Sequence, residues 1–358
     1  MIAKEEQITT LVATKPREAA LLDVEAPELG EEEVKIRVEF SAPKHGTEVV
    51  DFRGITPFMD EEFSEEWRSF VPREDTSEKG IVFGEFKLGN MVVGEIVETG
   101  HKVTDVSVGD RVCTYGPISE YVIVNASNNH RLLKMPEHGK WQNAVCYDPA
   151  QFALGAVRDA HIRPGDCVAV SGLGAIGQIA IQLVKKMGAS LVIGVDPIEH
   201  RREIAREGGA DVCLDPTICD AGFEVKKLTD KQGVDAWVET SGISSALQDA
   251  LKGTGYAGTI SYIAFAKPFP EGLNFGREAH FNNANLVFSR VASEPNRDYP
   301  RWDRKRIERT CWQLLMNGHL DCEKIIDPVV SFEDSAEAYM KYVDQSPNLS
   351  IKLGVKHG

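Results

Sequence analysis

The chain has 358 residues, enough for two domains, and its 55 acidic against 40 basic residues give a formal net charge of −15. A surface this acidic repels phosphate backbones, so we expect no nucleic acid partner. Charges interrupt every hydrophobic segment before it reaches the length of a membrane span, and residues 1–6 do not open a secretory signal. We therefore expect a cytoplasmic protein without a membrane partner.

The seven cysteines are scattered along the chain, and no two of them form a C-x-x-C pair. This spacing argues against a disulfide framework and against a cysteine-rich zinc site. Several of the cysteines lie in apolar, strand-like runs, where a free cysteine is usually a small core residue. The pattern fits a reducing compartment.

The first part of the chain is patterned as short strands separated by turns. Residues 34–40 alternate apolar and polar side chains, which predicts a half-buried strand. Residues 91–99 and 111–115 predict two more strands, with a turn at residues 107–110 between them. This pattern indicates a β-rich domain, to which we assign residues 1–149.

The pattern changes after Pro149 to alternating helices and short apolar strands. Such alternation predicts βαβ units and a doubly wound parallel sheet, so we expect an α/β domain at residues 150–292. The predicted strands are 167–170, 191–195, 212–214, 236–239 and 259–263, and the predicted helices are 150–160, 176–187 and 200–207.

The C-terminal part begins with a polar segment rich in Arg, Pro and Asp, residues 291–305, which we interpret as a boundary loop. The last 50 residues predict two helices and two strands. In chain order these are a helix at 305–317, a strand at 327–330, a helix at 335–343 and a strand at 350–355. We take residues 293–358 as a third segment.

A glycine motif, Gly172-Leu173-Gly174-Ala175-Ile176-Gly177, follows the first strand of the α/β domain. Gly172 permits a tight turn, Gly174 lets the backbone approach a pyrophosphate, and Gly177 lets the helix pack closely on the strand. The helix N-terminus, at Ala175 and Ile176, then faces the phosphates with its N–H groups. Because a strand precedes the motif and an amphipathic helix follows it, the motif predicts a dinucleotide site in a Rossmann domain.

Asp196 ends the next predicted strand, 19 residues after Gly177. Its carboxylate can accept hydrogen bonds from both ribose hydroxyls and would repel a 2′-phosphate, so we expect NAD(H) as the cofactor. Arg201 lies just beyond, beside Arg202, and a guanidinium here would weaken that preference. Arg201 is therefore also a candidate cofactor contact.

With these features the chain resembles the medium-chain dehydrogenase/reductase superfamily, which includes zinc alcohol and polyol dehydrogenases. The resemblance covers nearly the whole chain. The segments that carry it are residues 41–48 (SAPKHGTE), 89–97 (GNMVVGEIV), 108–112 (VGDRV), 164–166 (PGD), the glycine motif, 233–239 (GVDAWVE) and 350–352 (SIK).

The resemblance implies a GroES-like β-rich catalytic domain, a Rossmann domain and a return of residues 293–358 to the catalytic domain. It also implies that Glu48 and Lys352 lie near the cofactor pyrophosphate, where we expect them to form an ion pair. A homodimer or homotetramer is expected from the family, and residues 286–288 are suited to an edge strand for pairing.

The chain departs from the family at the zinc sites. By the resemblance, the three catalytic ligand positions are His45, Asn90 and Asp148. His45 and Asp148 could bind zinc, but the amide of Asn90 is a weak zinc ligand, and Met91 replaces the family's outer glutamate. The cysteine-rich lobe that holds a structural zinc is missing. We expect no structural zinc and favour a mechanism without catalytic zinc.

Without zinc, other groups must polarise a carbonyl and move a proton. Thr47 matches the family's relay hydroxyl, His45 is a candidate general acid/base, and Lys44 could stabilise an alkoxide. Asp148 could orient His45 or bind a substrate hydroxyl. Each also has an ordinary interpretation, since Lys44 could be a surface charge and Asp148 with Pro149 could cap a helix.

Two further segments are candidates for substrate contacts. Residues 52–87 form a long acidic and aromatic insertion that could cap the substrate cleft, contact another subunit or lie at the surface. His280 and Asn282 follow the strand at 259–263, where the family places residues near the nicotinamide. Together with Asn90 they are our candidate substrate-binding residues.

These features favour an NAD-dependent dehydrogenase acting on a polyol, cyclitol or sugar-like alcohol, because the candidate cleft residues are rich in hydrogen-bond donors and acceptors. A zinc-independent quinone or enoyl reductase is the alternative, although such enzymes prefer NADPH and Asp196 argues against it. A non-catalytic nucleotide-binding redox sensor is the alternative from another class of protein.

Overall fold

The computed structural model describes residues 7–73, 80–265, 269 and 272–358. The strands of these residues are β1 (Gln7–Lys15), β2 (Glu18–Glu25), β3 (Glu33–Ala42), β4 (Glu61–Ser64), β5 (Ser69–Pro72), β6 (Phe86–Lys87), β7 (Met91–Thr99), β8 (Arg111–Tyr115), β9 (Tyr121–Asn125), β10 (Leu133–Lys134), β11 (Cys167–Ser171), β12 (Leu191–Val195), β13 (Val212–Leu214), β14 (Val234–Glu239), β15 (Thr254–Tyr262), β16 (Asn285–Phe288), β17 (Ile326–Ser331) and β18 (Lys352–Lys356).

The helices of the same residues are α1 (His45–Phe52), α2 (Trp141–Val145), α3 (Tyr147–Asp159), α4 (Ala175–Lys186), α5 (Glu199–Glu207), α6 (Ala221–Leu228), α7 (Ser244–Gly253), α8 (Glu278–Phe281), α9 (Arg304–Met316) and α10 (Ser335–Tyr339). No helix of the described residues is long and apolar enough to cross a membrane.

The chain divides into two compact units. Unit 1 comprises Met1–Trp141 and Ile326–Gly358, and unit 2 comprises Gln142–Ile325. The sequence predicts domain boundaries at 149/150 and 292/293, whereas the two compact units of the structure meet at 141/142 and 325/326. The second boundary moves furthest because α9 packs on α3 through contacts such as the edge-to-face pair of Tyr147 and Trp312, which keeps residues 293–325 with the α/β unit.

Unit 1 is β-rich, as the alternating sequence pattern predicts. Its largest sheet has the order β10-β8-β7-β3-β18-β17, with β9 also paired to β3, and a second sheet has the order β2-β1-β6. Strand β18 runs antiparallel to β3 with Val355 opposite Ser41, so the C-terminal segment returns to this unit. The expected return of the chain is therefore present.

The strand register of unit 1 brings three segments to one end of the large sheet. β3 ends at Ala42 opposite Met91, the first residue of β7, and the N–H of Asn90 donates to the Ala42 carbonyl. β18 begins at Lys352, whose Nζ donates to the carbonyl of Pro43 at 2.6 Å. The N-terminus of α1, the start of β7 and the start of β18 thus converge.

The insertion at residues 52–87 contains the hairpin β4–β5 and a short helical turn at residues 57–59. Phe70 packs edge-to-face on Phe58 and Phe63, each with ring centroids 5.5 Å apart, while Trp67 is 74% exposed. Residues 74–79 of the insertion lie outside the described residues. The predicted role of the insertion as a cap stays a prediction.

Unit 2 is a parallel sheet of order β13-β12-β11-β14-β15-β16, flanked by helices. Numbered along the chain, this is the 3-2-1-4-5-6 order of the Rossmann fold, and the order reverses between β11 and β14. The doubly wound fold predicted from the sequence is confirmed. β16 lies at one edge of the described sheet, and its pairing with a second copy of the chain stays a prediction.

Candidate functional site

The glycine loop joins the carboxyl end of β11 to α4. Gly172 has a φ of +81°, and a Cβ on Gly177 would lie 2.0 Å from the Gly172 carbonyl oxygen, so both positions require glycine. Gly174 is the N-cap of α4, and a Cβ there would meet no atom of the described chain within 4 Å. A phosphate can therefore approach the first N–H groups of the helix, at Ala175 and Ile176.

Asp196 lies beside this loop and is only 3% exposed. Its Oδ2 accepts a hydrogen bond from the Leu173 N–H at 2.7 Å, and its Oδ1 accepts one from the Ile198 N–H at 2.9 Å. Each carboxylate oxygen keeps a second lone pair for a ribose hydroxyl. Arg201 Nη1 lies 3.8 Å from Oδ2, whereas Arg202 is buried and donates to the Asp196 backbone carbonyl at 2.7 Å.

Two side chains that sequence reasoning missed hold the glycine loop in place. Thr240 Oγ1 donates to the Gly172 carbonyl at 2.6 Å. Gln178 Nε2 donates to the carbonyls of Leu173 at 3.1 Å and Arg201 at 2.7 Å, so it ties the loop to the segment that carries Arg201. Neither contact has a local sequence signal, because each joins elements that are separate in the chain.

Glu239, at the end of β14, supports the same corner of unit 2. It is fully buried, and its carboxylate accepts hydrogen bonds from the backbone N–H groups of Ser241 at 2.8 Å and Gly242 at 3.1 Å. Burial raises the pKa of this carboxyl, and these hydrogen bonds oppose the rise. The only sequence signal was its place at the end of the segment 233–239.

In unit 1, the predicted catalytic residues lie at the N-terminus of α1. Lys44 is the N-cap, His45 is the first helical residue, and both are half-buried, as is Thr47 in the first turn. The Nε2 atom of His45 accepts a hydrogen bond from the Leu353 N–H at 2.9 Å. A general base or a zinc ligand acting through Nε2 would have to break this contact.

Glu48 points into unit 1. Its Oε2 accepts from the Gly89 N–H at 2.9 Å, and its Oε1 accepts from the Tyr339 hydroxyl at 2.8 Å. Burial raises the pKa of Glu48 to about 7, while Lys352 lowers it through its charge. The predicted ion pair of Glu48 and Lys352 beside the cofactor stays a prediction, and the contacts that the structure gives Glu48 are with Gly89 and Tyr339 in the interior of unit 1.

Asn90 lies beside the turn at residues 44–47, and its Nδ2 is buried with no partner among the residues described. An unpaired N–H donor suits a substrate oxygen and repels a metal cation. His45 offers zinc a nitrogen that already accepts a hydrogen bond. In the described residues no three His, Cys, Asp or Glu side chains form a group that could hold a metal. As placed, Asn90 Nδ2 and His45 Nε2 of unit 1 suit other partners than zinc, and the expectation of a mechanism without catalytic zinc stays a prediction.

Asp148 belongs to unit 2 and is 5% exposed in the first turn of α3. The helix starts one residue earlier, at Tyr147, and its N-cap is Cys146. The alternative in which Asp148 caps the helix is therefore wrong, because the residue lies inside the first turn. Its predicted catalytic role stays a prediction.

The structure corrects the prediction for His280 and Asn282. α8, which carries His280, precedes β16, and the Asn282 carbonyl accepts from the N–H of Ala257, near the start of β15. Both residues therefore lie at the amino edge of the parallel sheet, while the glycine loop follows the carboxyl end of β11. The prediction that they contact a substrate beside the cofactor is wrong, because a parallel β16 must start from the opposite edge.

Comparison with known proteins agrees with the fold and the cofactor loop described above. The family model described as zinc-binding dehydrogenase matches residues 175–305, which lie in unit 2. The D-guloside 3-dehydrogenase of Escherichia coli K12 is 65% identical over 345 residues, covering 96% of this chain and 99% of the relative.

Solved structures share the fold at lower identity. The 2R,3R-butanediol dehydrogenase of Bacillus subtilis aligns with a TM-score of 0.74 and 21% identity, covering 98% of this chain and 99% of that one. A protein of E. coli CFT073 described as a short chain alcohol dehydrogenase, in complex with NADH, aligns with a TM-score of 0.73 and 19% identity, covering 98% and 99%. At these identities the alignments establish the α/β fold with its GroES-like domain.

Proposed function

The chain belongs to the medium-chain dehydrogenase/reductase superfamily and is a dehydrogenase, and from this we propose that it oxidises the C3 hydroxyl of a glycoside with NAD. The observation that carries the proposal is the 65% identity to the E. coli D-guloside 3-dehydrogenase over 99% of that protein. An identity this high over the whole relative supports a shared substrate class, and the buried Nδ2 donor of Asn90 suits a hydroxylated ligand.

The residues of unit 2 fit a nicotinamide dinucleotide. Gly174 leaves room in front of the N-terminus of α4, where a pyrophosphate would bind, and Asp196 would accept hydrogen bonds from the adenosine ribose. When bound, the nicotinamide accepts hydride from the carbinol carbon. We propose NAD over NADP because the buried carboxylate of Asp196 would face a 2′-phosphate on the adenosine ribose, while the Arg201 guanidinium that pairs with it, at 3.8 Å, is already engaged with that carboxylate.

The alcohol proton has to leave as the hydride is transferred. Thr47 would accept this proton on its hydroxyl while giving its own proton to solvent water, and the ammonium of Lys44 would stabilise the alkoxide that forms. Asn90 Nδ2 would donate to a substrate oxygen and so orient the sugar ring. His45 holds the start of α1 against β18 in this scheme.

Turnover of methyl glycosides tests the proposal. We expect an increase in reduced nicotinamide absorbance with NAD and a hexoside, and no increase with the matched 3-deoxyglycoside, because it lacks the hydroxyl that would be oxidised. The product should carry a carbonyl at C3, which can be identified by borohydride reduction and sugar analysis. Turnover of quinones or enones with NADPH, and none of any glycoside, would favour the alternative reductase instead.

The proposed reaction needs no zinc, and elemental analysis tests this point separately. We expect the active protein to carry less than one equivalent of zinc and to keep its activity after dialysis against a chelator. One zinc per chain, lost together with activity in His45→Ala, would contradict the metal-free scheme.

A further inference from the structure

A cavity of about 230 Å³ lies inside unit 2, between the C-terminal half of α3 and the segment that follows β16. The N–H of Ser289, just after β16, donates to the carbonyl of Tyr262, the last residue of β15. The cavity therefore adjoins the carboxyl edge of the parallel sheet, the same edge that carries the glycine loop. Ligands of open α/β sheets bind outside this edge.

The lining of the cavity carries an excess of positive charge. It includes the guanidinium groups of Arg158, Arg290 and Arg297 and the carboxylates of Asp159 and Asp298. Burial raises the pKa of Asp159, while the Ser289 hydroxyl and the charge of Arg297 oppose the rise. A local positive excess stands out in a chain whose net charge is −15.

Two buried N–H donors in the lining lack acceptors. Asn296 Oδ1 accepts from the Asp298 N–H at 3.1 Å, which fixes the amide orientation and leaves Nδ2 without a partner among the residues described. Arg158 uses Nη2 to bind Asp298, and its buried Nε is likewise unpaired within the described part of the chain. Unpaired buried donors are costly, and a bound acceptor would relieve that cost.

We propose that this cavity binds a small oxyanion, a carboxylate or phosphate group, through Arg158 and Asn296. The planar guanidinium suits both groups, and the volume admits a small group only. The oxyanion comes from one of two sources, a carboxylate on a glycoside substrate or free phosphate. The first source rests on the proposed function, and the second is independent of it.

Calorimetric titration of the full-length protein without cofactor tests the proposal apart from turnover. The probes are inorganic phosphate, methyl glucuronide and methyl glucoside, the last two differing in the carboxylate. We expect at least one anion to bind about tenfold more tightly than methyl glucoside, with affinity falling as salt rises. Binding of the glucuronide assigns the substrate as the source, and binding of phosphate alone assigns free phosphate. Equal binding of glucoside and glucuronide without phosphate binding, or no binding, overturns the proposal.

Isosteric variants locate the bound anion. Asn296→Asp keeps the acceptor for the Asp298 N–H but replaces the unpaired donor with an anionic oxygen, so we expect anion affinity to fall about tenfold or more. The control is Arg306→Gln, which removes the second of the two guanidinium groups stacked on Trp302, 4.1 Å from its ring centroid, and leaves Arg158 and the cavity lining in place. Wild-type affinity in Asn296→Asp, or an equal loss in Arg306→Gln, would overturn the assignment.

Discussion

The Nε2 atom of His45 accepts a hydrogen bond from the Leu353 N–H at 2.9 Å, which ties the start of α1 to β18. A neutral imidazole with an accepting Nε2 carries its proton on Nδ1, so neither ring nitrogen can take up a proton while this contact persists. During alcohol oxidation the proton needs an acceptor. We therefore propose Thr47 for proton exit and a positioning role for His45.

Two substitutions of His45 separate these roles. We expect His45→Gln to keep the shape of the pH profile of kcat and to lower kcat by less than about tenfold, because the glutamine Oε1 can accept the Leu353 N–H. We expect His45→Ala to lower kcat by roughly a hundredfold through misplacement of α1. Steady-state kinetics between pH 6 and 10 measure both. Loss of the same limb of the profile in both variants would show that His45 is the base.

At the scale of secondary-structure elements, two glycines in the turn between β11 and α4 differ in what surrounds them. Gly177 faces the Gly172 carbonyl, so its missing side chain serves the packing of α4 on the turn. Gly174 faces open space and has a φ of −72°, which any residue adopts. We therefore expect the glycine at Gly174 to serve the approach of a ligand, whereas the glycine at Gly177 is required for the fold.

The two alanine variants should differ accordingly. We expect Gly174→Ala to keep the wild-type melting temperature while NADH affinity falls about tenfold, because the added methyl group lies where the pyrophosphate approaches. Gly177→Ala should lower the free energy of unfolding by about 1–3 kcal/mol, since its methyl group must displace the helix. Thermal melts and NADH fluorescence titrations measure both quantities. A destabilised Gly174→Ala with unchanged NADH affinity would contradict this division.

Local patterns predicted most elements and the cofactor loop, because strand alternation, helical spacing and the glycine motif are written in neighbouring residues. The sequence pattern did not predict at which edge of the parallel sheet, amino or carboxyl, the residues between two strands lie. His280 and Asn282 were therefore assigned to the substrate, although the parallel direction of β16 carries them to the far edge of the sheet. Gln178 and Thr240 were missed because their partners are brought together only by tertiary folding.

At the scale of the whole molecule, the return of the C-terminal segment was predicted from the family resemblance, since no local sequence signal specifies that β18 pairs with β3.

Two buried titratable groups of unit 1 have pKa values far from their ordinary ones. Burial raises the pKa of Glu48 from 4.5 to about 7 and lowers the pKa of His357 from 6.5 to about 4. Their effects on stability have opposite signs.

Between pH 4.5 and 7 the unfolded chain has lost the Glu48 proton while the folded chain keeps it, so this group makes stability fall as pH rises. Between pH 6.5 and 4 the unfolded chain gains the His357 proton while the folded chain resists it, so this group makes stability fall as pH drops. Each effect amounts to about 3 kcal/mol over its window. Between pH 4.5 and 6.5 the two slopes nearly cancel.

Single substitutions should reveal how each group makes the free energy of unfolding depend on pH. Relative to wild type, we expect Glu48→Gln to gain about 3 kcal/mol between pH 4.5 and 7, because its amide does not titrate: its oxygen can accept from the Gly89 N–H, and its NH2 group can donate to the Tyr339 hydroxyl oxygen in a reversed hydrogen bond. The deficit of His357→Gln should shrink by a similar amount as pH falls from 6.5 to 4. Urea unfolding followed by tryptophan fluorescence measures both, with His101→Gln, at an exposed histidine, as the control. If the free energy of unfolding of each variant changes with pH in parallel with wild type, neither group changes its pKa on folding. If the differences from wild type have opposite slopes, the folding of unit 1 shifts the pKa of Glu48 upward and that of His357 downward, and the two effects on stability oppose each other.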